Sequence, residues 1–530
     1  MNKNSIFKHI KSDLPASIVV FFVALPLCLG IALASGAPLF SGLIAGIIGG
    51  IVVGSLSGSQ IGVSGPAAGL AAIVLTAIGT LGGFENFLLA VVLGGVIQLV
   101  FGILKAGIIG YYFPSSVIKG MLTGIGIIIF LKQIPHFFGY EAAAQGDFSF
   151  AQGGENTFSG IFSTLNHISP GATLIAIIGL LILLLWENFL VKKAKLFQLI
   201  QGPLVAVVVG VIYSVATAGD AFWGINSNLL VSVPVAEDLG SFVSQFTFPN
   251  YAAIGDSQIW ITAFTIALVA SLETLLCVEA TDSIDPLKRI TPTNRELVAQ
   301  GTGNIISGLI GGLPITQVIV RSSANIHSGG KTKLSAIIHG FFLLISVLTI
   351  PFLLNKIPLS VLAAILFLVG YKLAKPTLFI TMYKLGWKQF VPFVVTIIGI
   401  VFTDLLVGIG LGLVVGITII LIKSYQNSHF LHIKDKSDGK NKIMMQLAEE
   451  VTFINKGAIL KELELLPQDS ILELDISKTV YLDNDVIEIL DNFLDKAKTR
   501  NIEITVIREN GTVKQPDSFA TLLNTKKESA

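Results

Sequence analysis

The chain has 530 residues, of which 35 are Lys or Arg and 34 Asp or Glu; 13% are charged and 52% hydrophobic, with a mean hydropathy of +0.78. The last 100 residues hold 14 Lys/Arg and 18 Asp/Glu, leaving 37 charges for the first 430, the pattern of a polytopic membrane protein followed by a soluble domain. This excludes a soluble enzyme, a secreted disulfide scaffold and a nucleic-acid binder, and the net charge of +1 offers no polyanion-binding signal. Cys28 and Cys277 both lie in apolar stretches, which argues against a disulfide framework or a zinc site.

In chain order, an N-terminal segment, 1–13, precedes a transport region read as 14–425. Apolar segments are predicted near 14–34, 40–57, 61–80, 86–106, 113–134, 171–191, 202–218, 258–280, 294–312, 314–328, 331–354, 357–374, 389–404 and 405–423. The first is too long and lacks the small-residue cleavage site of a signal peptide. With the N-terminus inside, Lys11, Lys105, Lys288, Arg289, Lys331, Lys333, Lys372, Lys375, Lys384, Lys388 and Lys423 all fall on the cytoplasmic side, as the positive-inside rule requires. The two longest external loops, roughly 137–170 and 219–257, contain no Lys or Arg. Both termini and the C-terminal domain are therefore expected in the cytoplasm.

The fourteen segments divide into seven and seven, about 14–218 and 258–425, and an odd number per half makes the repeats inverted. The third segment of each half is unusual. In the first, Gln60 to Gly69 contains Ser64-Gly65-Pro66-Ala67-Ala68; in the second, Gly311-Gly312-Leu313-Pro314-Ile315-Thr316 opens a short apolar run. Gly and Pro clustered at matching positions predict discontinuous helices whose N-termini meet near the bilayer midplane. The first N–H groups of a helix lack internal partners and carry a positive partial charge, so two such ends make an anion site without a buried lysine. On this reading Pro66 and Pro314 occupy first-turn positions, where a missing N–H costs nothing.

These residues resemble the sulfate permease (SulP) family of anion transporters. The Gln60–Gly69 run is similar to that family's third span, and Asn294-Arg295-Glu296-Leu297-Val298-Ala299-Gln300-Gly301, followed by Asn304, Gly308, Gly311-Gly312 and Pro314, to its ninth and tenth. Ile357-Pro358-Leu359 with Leu362-Ala363-Ala364 matches its twelfth. The resemblance implies a bacterial inner-membrane, elevator-type carrier, a homodimer surrounded by lipid. Its core bundle would hold spans 1–4 and 8–11, and a gate bundle spans 5–7 and 12–14. It implies that sulfate, bicarbonate or a similar small anion binds at the helix ends after Pro66 and Pro314, beside Gly65. Ala67, Ala68, Ile315 and Thr316 would supply backbone donors, with span 1 around Cys28 and Ile31 forming a wall. No metal or cofactor is expected.

Glu273 lies mid-span, where an ionised carboxylate costs roughly 2.5–3.5 kcal/mol on insertion scales and requires water, a partner or a proton. That suits a group loading a proton on one side and releasing it on the other. In the family an acidic residue here faces the substrate, and sodium-coupled members pair an Asp with a Thr one turn later. This chain has Glu273 and Cys277, and a thiol is a poor ligand for a hard cation, so H⁺ coupling is expected ahead of Na⁺. Arg321 matches a basic position near the family's anion site; the alternatives are an anchor at the cytoplasmic end or a partner for Glu279 or Asp282. Asp404 reads as structural.

The C-terminal part, 430–510, has alternating strands at 450–454 and 471–476, a helix at 483–500 and a strand at 502–507, an order resembling a STAS domain. The family's regulatory Asp-Ser-Ser-Gly turn corresponds to Asp483-Asn484-Asp485-Val486, without serines, so the domain reads as a dimerisation or assembly module. The tail, 511–530, shows no obvious final strand–helix unit. Two other classes stay open. A nucleobase carrier of the same fold would want a second carboxylate in 314–328, which has no Asp or Glu, and an uncoupled anion channel or exchanger would not need Glu273. No nucleophile–base pair or phosphate loop suggests an enzyme.

Overall fold

The computed structural model describes residues 9–108, 114–140, 151–152, 155–156, 164, 168–193, 197, 201–235, 239–403, 405–437 and 440–524. Asp404 and most of the 137–170 loop lie outside them. The chain forms two compact units, Met1–Leu413 and Val414–Ala530.

The first unit is helical: α1 (Ile10–Ala34), α2 (Leu39–Leu56), α3 (Ala68–Thr80), α4 (Phe84–Ile103), α5 (Ser115–Phe137), α6 (Pro170–Leu190) and α7 (Gly202–Ala216), then α8 (Ser257–Ile284), α9 (Thr293–Leu309), α10 (Ile319–His327), α11 (Leu334–Thr349), α12 (Leu359–Leu373), α13 (Pro376–Lys384), α14 (Trp387–Phe402) and α15 (Leu405–Gln426), the last running on into the second unit. Eight helical stretches among the described residues are long and apolar enough to cross a membrane, and four shorter apolar helices accompany them. A helix apolar all round belongs in a core or in lipid. Burial separates the two cases: 78% of the apolar window of α1 is buried, against 22% in α6 and α15. α1 is thus a central element, packed on α2, α10, α11 and α12, while α6 and α15 offer wide faces to lipid. Elsewhere α4 packs on α8 and α9, and α5 on α12 and α14. α13 was not expected; it fills the joint between two predicted segments, and Met382 is its buried residue.

Two predicted segments are not continuous helices. The stretch 61–80 begins as a strand, β1 (Ser64–Pro66), before α3, and 314–328 as β2 (Ile315–Gln317) before α10. The strands pair antiparallel, with Ser64 opposite Gln317, Gly65 opposite Thr316 and Pro66 opposite Ile315. Away from water a backbone that leaves the helix must find other partners, and each broken segment finds the other. Pro66 and Pro314 are accordingly not first-turn residues: Pro66 closes β1, and Pro314 stands ahead of β2, with α10 starting only at Ile319.

The second unit holds a five-stranded sheet of order β9-β8-β6-β4-β3, built from β3 (His429–Ser437), β4 (Lys440–Leu447), β6 (Ser470–Asp475), β8 (Glu503–Arg508) and β9 (Gly511–Lys514). β4, β6 and β8 run parallel; β3 and β9 are antiparallel edges. Helices α16 (Lys456–Leu465) and α17 (Asn484–Thr499) close an apolar core with Met445, Leu474, Ile459, Leu490 and Val506. The strand expected at 450–454 is two residues long, β5 (Glu450–Val451), paired with β7 (Tyr481–Leu482). A capping box between Thr452 and Asn455 then turns the backbone into a 3₁₀ helix. Asp483 caps α17 by accepting the Asp485 N–H at 3.0 Å. The tail expected to lack a strand–helix unit has one: β9 hairpins onto β8 and is followed by α18 (Phe519–Asn524), with Phe519 in the core. Its two-residue turn, Glu509-Asn510, leads into Gly511, the first residue of β9, whose φ of 130° suits glycine.

Candidate anion site at two helix ends

The strand pair hangs on buried side chains. α9 places Glu296, Gln300 and Asn304 one turn apart on one face, all buried. Glu296 accepts from Ser57 Oγ at 2.5 Å and Gln300 Nε2 at 2.9 Å, and from the N–H groups of Gly58 and Ser59, which fixes the turn leaving α2. Gln300 Nε2 also donates to Ser64 Oγ at 2.8 Å. Asn304 takes both polar groups of Ile315: Oδ1 accepts its N–H at 2.5 Å and Nδ2 donates to its carbonyl at 3.2 Å. From α10, Ser322 Oγ accepts the Val63 N–H at 3.0 Å and Asn325 Nδ2 donates to the Ile61 carbonyl at 2.9 Å. The backbone between α2 and α3 is therefore held almost residue by residue, as irregular chain at membrane depth requires.

Both short helices begin at residues whose own side chains cap nothing, Ala67 before α3 and Val318 before α10. Residues of α8 face both ends. The Glu273 carboxylate stands against Gly69 in the first turn of α3, and one turn on Cys277 stands at Ile319, the first residue of α10. Between them Thr274 Oγ1 accepts from Gln317 N at 3.4 Å, and Thr281 Oγ1 accepts from Gln317 Nε2 at 3.1 Å. A β-carbon at Gly69 would lie 2.7 Å from both Glu273 carboxylate oxygens, so a side chain there would push the carboxylate aside. Ala68, Glu273, Cys277, Val318 and Ile319 are each half-buried, and together they form the open side of the site.

Behind this opening lies Arg321, fully buried in the first turn of α10. Its Nη2 donates to Cys28 Sγ on α1 at 3.3 Å. Nε and Nη1 have no partner among the described residues, and no carboxylate there forms an ion pair with it. Asp282, one of the partners considered from sequence, instead accepts from the Thr291 N–H at 2.7 Å and its hydroxyl at 2.8 Å. Arg321 Nη1 lies against Gly65, where a β-carbon would come within 2.1 Å of it. A buried guanidinium with two idle nitrogens, beside two positive helix ends, is a locus of unbalanced positive charge.

The fold gathers the residues singled out from sequence. Gly65, Ala67, Ala68, Thr316, Arg321, Cys28, Glu273 and Cys277 surround the strand pair and helix ends, and Ile31 shares an apolar cluster with Ala67, Leu70 and Ile315. One assignment changes. Ile315 is no free donor, because Asn304 holds its N–H; since α10 starts at Ile319, the second helix-end donors belong to Ile319 and the residues after it. Gln300 and Asn304 were noted only as part of the family motif, and Gln98 not at all. Glu296, Gln300 and Asn304 carried a signal as polar residues at four-residue steps in α9, an arrangement with no place on a lipid-facing helix.

Residues 10–396 match the family model described as the sulfate permease family. The chain belongs to that family. Over 94% of its length it is 27% identical to YvdB of Bacillus subtilis, which carries the name of a sulfate transporter, covering 91% of that protein. It is 26% identical over 96% of its length to the bicarbonate transporter BicA of Synechocystis, covering 90% of that protein. Among solved structures, the transmembrane domain of a cyanobacterial bicarbonate transporter BicA aligns at TM-score 0.63 and 25% identity, over 78% of this chain and 98% of that one. The fold of murine Slc26a9 matches over 96% of this chain and 86% of that one, at TM-score 0.78 and 16% identity. The family is one of integral membrane transporters.

Proposed function

We propose that the protein is a secondary active transporter of a small anion of the sulfate or bicarbonate class, coupled to protons through Glu273. The observation that carries this reading is the convergence of two helix N-termini, a buried Arg321 with idle N–H groups, and a carboxylate already seated on one of the two helix ends. While Glu273 is ionised it stands against Gly69 and offsets the positive charge an anion would seek. Protonation removes that competitor, so anion and proton bind together and leave together. Cys277, where sodium-coupled members of the family have a hydroxyl, sets sulfur at Ile319 and favours proton over sodium coupling. Names of relatives that carry sulfate or bicarbonate support the substrate class.

The same reading takes α1–α4 and α8–α11 as a core that moves against a gate of α5–α7, α12, α14 and α15, elevator fashion, within a homodimer embedded in lipid. Residues 14–425 form the transport domain and 429–524, with the added edge strand and final helix, a STAS-like assembly domain, with both termini in the cytoplasm of a bacterial cell. The test is uptake of labelled sulfate into proteoliposomes with and without an inward proton gradient, with unlabelled bicarbonate as competitor. Gradient-driven accumulation is expected. Uptake indifferent to the gradient would defeat proton coupling, and absence of both sulfate uptake and bicarbonate binding would defeat the anion assignment.

A further inference from the structure

We infer that Asn304 is a positioning residue for the anion site, oriented by Gln98, and that it sets anion affinity through β2 without touching the anion; this rests on the site reading above. The amide orientation follows from chemistry. An N–H can only donate, so the Asn304 atom facing Ile315 N at 2.5 Å is the oxygen. The nitrogen must then point at the Ile315 carbonyl and at Gln98 on α4, and it donates to Gln98 Oε1 at 2.8 Å. That fixes the Gln98 amide as well and leaves its Nε2 without a partner among the described residues. Both side chains are buried, at 1% and 0% exposure.

In effect Asn304 plays a third strand. β2 pairs with β1 along one edge, and on the other edge a single carboxamide satisfies both the N–H and the C=O of Ile315. Two residues beyond Ile315 comes Gln317, held by Thr274 and Thr281 of α8, and two beyond that the first turn of α10 with Ile319 and Arg321. The placement of that turn relative to the first turn of α3 is therefore set where β2 is pinned. Release of Ile315 would let β2 shift, moving Ile319 off Cys277 and the Arg321 guanidinium off Cys28 and Gly65. α4 and α9, which pack against each other, hold the strand pair through these two amides and the Gln300–Ser64 bond, and Ser307 of α9 donates to the Leu313 carbonyl just ahead of β2 at 2.7 Å.

The test uses the full chain in proteoliposomes, with sulfate and bicarbonate as probes. Wild type is measured first; if it takes up neither, the functional reading fails on its own account. Asn304→Ala is expected to raise KM about tenfold or more, the scale of one lost buried hydrogen-bond partner, with the maximal rate within about twofold. Asn304→Asp keeps the acceptor for the Ile315 N–H but loses the donor to the Ile315 carbonyl and adds a buried negative charge behind the anion site, so KM should stay raised by about tenfold or more. A merely structural asparagine would lower the amount of active protein and leave KM alone, and that outcome overturns the inference. Should Asn304→Ala not insert, Gln98→Leu decides: it removes the α4 acceptor that orients the Asn304 amide, so KM should rise about threefold or more with the maximal rate within about twofold; a folded Gln98→Leu protein with wild-type KM overturns the orienting role.

Discussion

A single methyl group at Gly65 tests the anion site most directly. In Gly65→Ala the new carbon would lie 2.1 Å from Arg321 Nη1 and 3.0 Å from Cζ. Ordinary contact needs about 3.5 Å, so the guanidinium must retreat by roughly 1.4 Å. The atom struck is the end of a flexible side chain, so the fold should survive while the cationic group leaves its place between Gly65 and Cys28. Overpacking of this kind costs about 1–3 kcal/mol, and if it falls on the anion-bound state the affinity drops about 5- to 150-fold. The assay is uptake against anion concentration in proteoliposomes, with thermal unfolding of the purified protein alongside. KM should rise by at least about fivefold with little change in Tm. Gly49→Ala is the contrasting control: its β-carbon would meet backbone, 2.5 Å from Ser64 O and 2.8 Å from Gly65 N, so this variant should fail to fold. A folded Gly65→Ala protein with wild-type KM would refute the placement of the anion beside Arg321.

Three further perturbations address the rest of the site and its supports. Glu273→Gln cannot ionise, so transport should become independent of pH while anion exchange persists; an unaltered pH profile would remove Glu273 as the proton carrier. Ala68→Leu fills the half-buried position at the start of α3 and should weaken anion binding about tenfold or more without unfolding, whereas retained affinity would move the site elsewhere. Asp285, just beyond α8, is held below the usual carboxylate range: burial pulls it up, but the Arg289 side chain and the N–H groups of Leu287 and Arg289 outweigh that. Its contribution is complete above the unfolded carboxylate value near 4 and is lost as pH falls through the lower folded value. Asp285→Asn should thus lower stability by about 2 kcal/mol at neutral pH, and the gap from wild type should close in acid; a gap constant across pH would refute the linkage.

On the proposed function, coupling would follow from one face of α8 standing at the starts of both short helices. Glu273 and Cys277 are one turn apart, and the two helix ends they meet lie on either side of the paired strands. A proton on Glu273 changes the charge at one end of the site, while Arg321 keeps the other end positive. The arrangement needs no buried lysine, because the helix ends and one guanidinium supply the attraction.

The amino-acid sequence by itself determined the membrane character of the first part, the soluble nature of the last hundred residues, and the two Gly/Pro-interrupted segments. These follow from composition and local spacing: where charges are missing, where lysines return, where glycine and proline recur. Glu273 and Arg321 were legible for the same reason, since an ionisable residue within an apolar run demands a cause. Only the tertiary structure decided that Ser64–Pro66 and Ile315–Gln317 pair as strands before their helices begin. The choice depends on a partner some 250 residues away, Gly65 opposite Thr316, which no local pattern encodes. It likewise decided that Asn304 occupies the Ile315 N–H, and that Glu273 and Cys277 of α8 stand at the starts of α3 and α10. In lipid every backbone group must be satisfied, but which side chain satisfies it is settled by packing between distant segments.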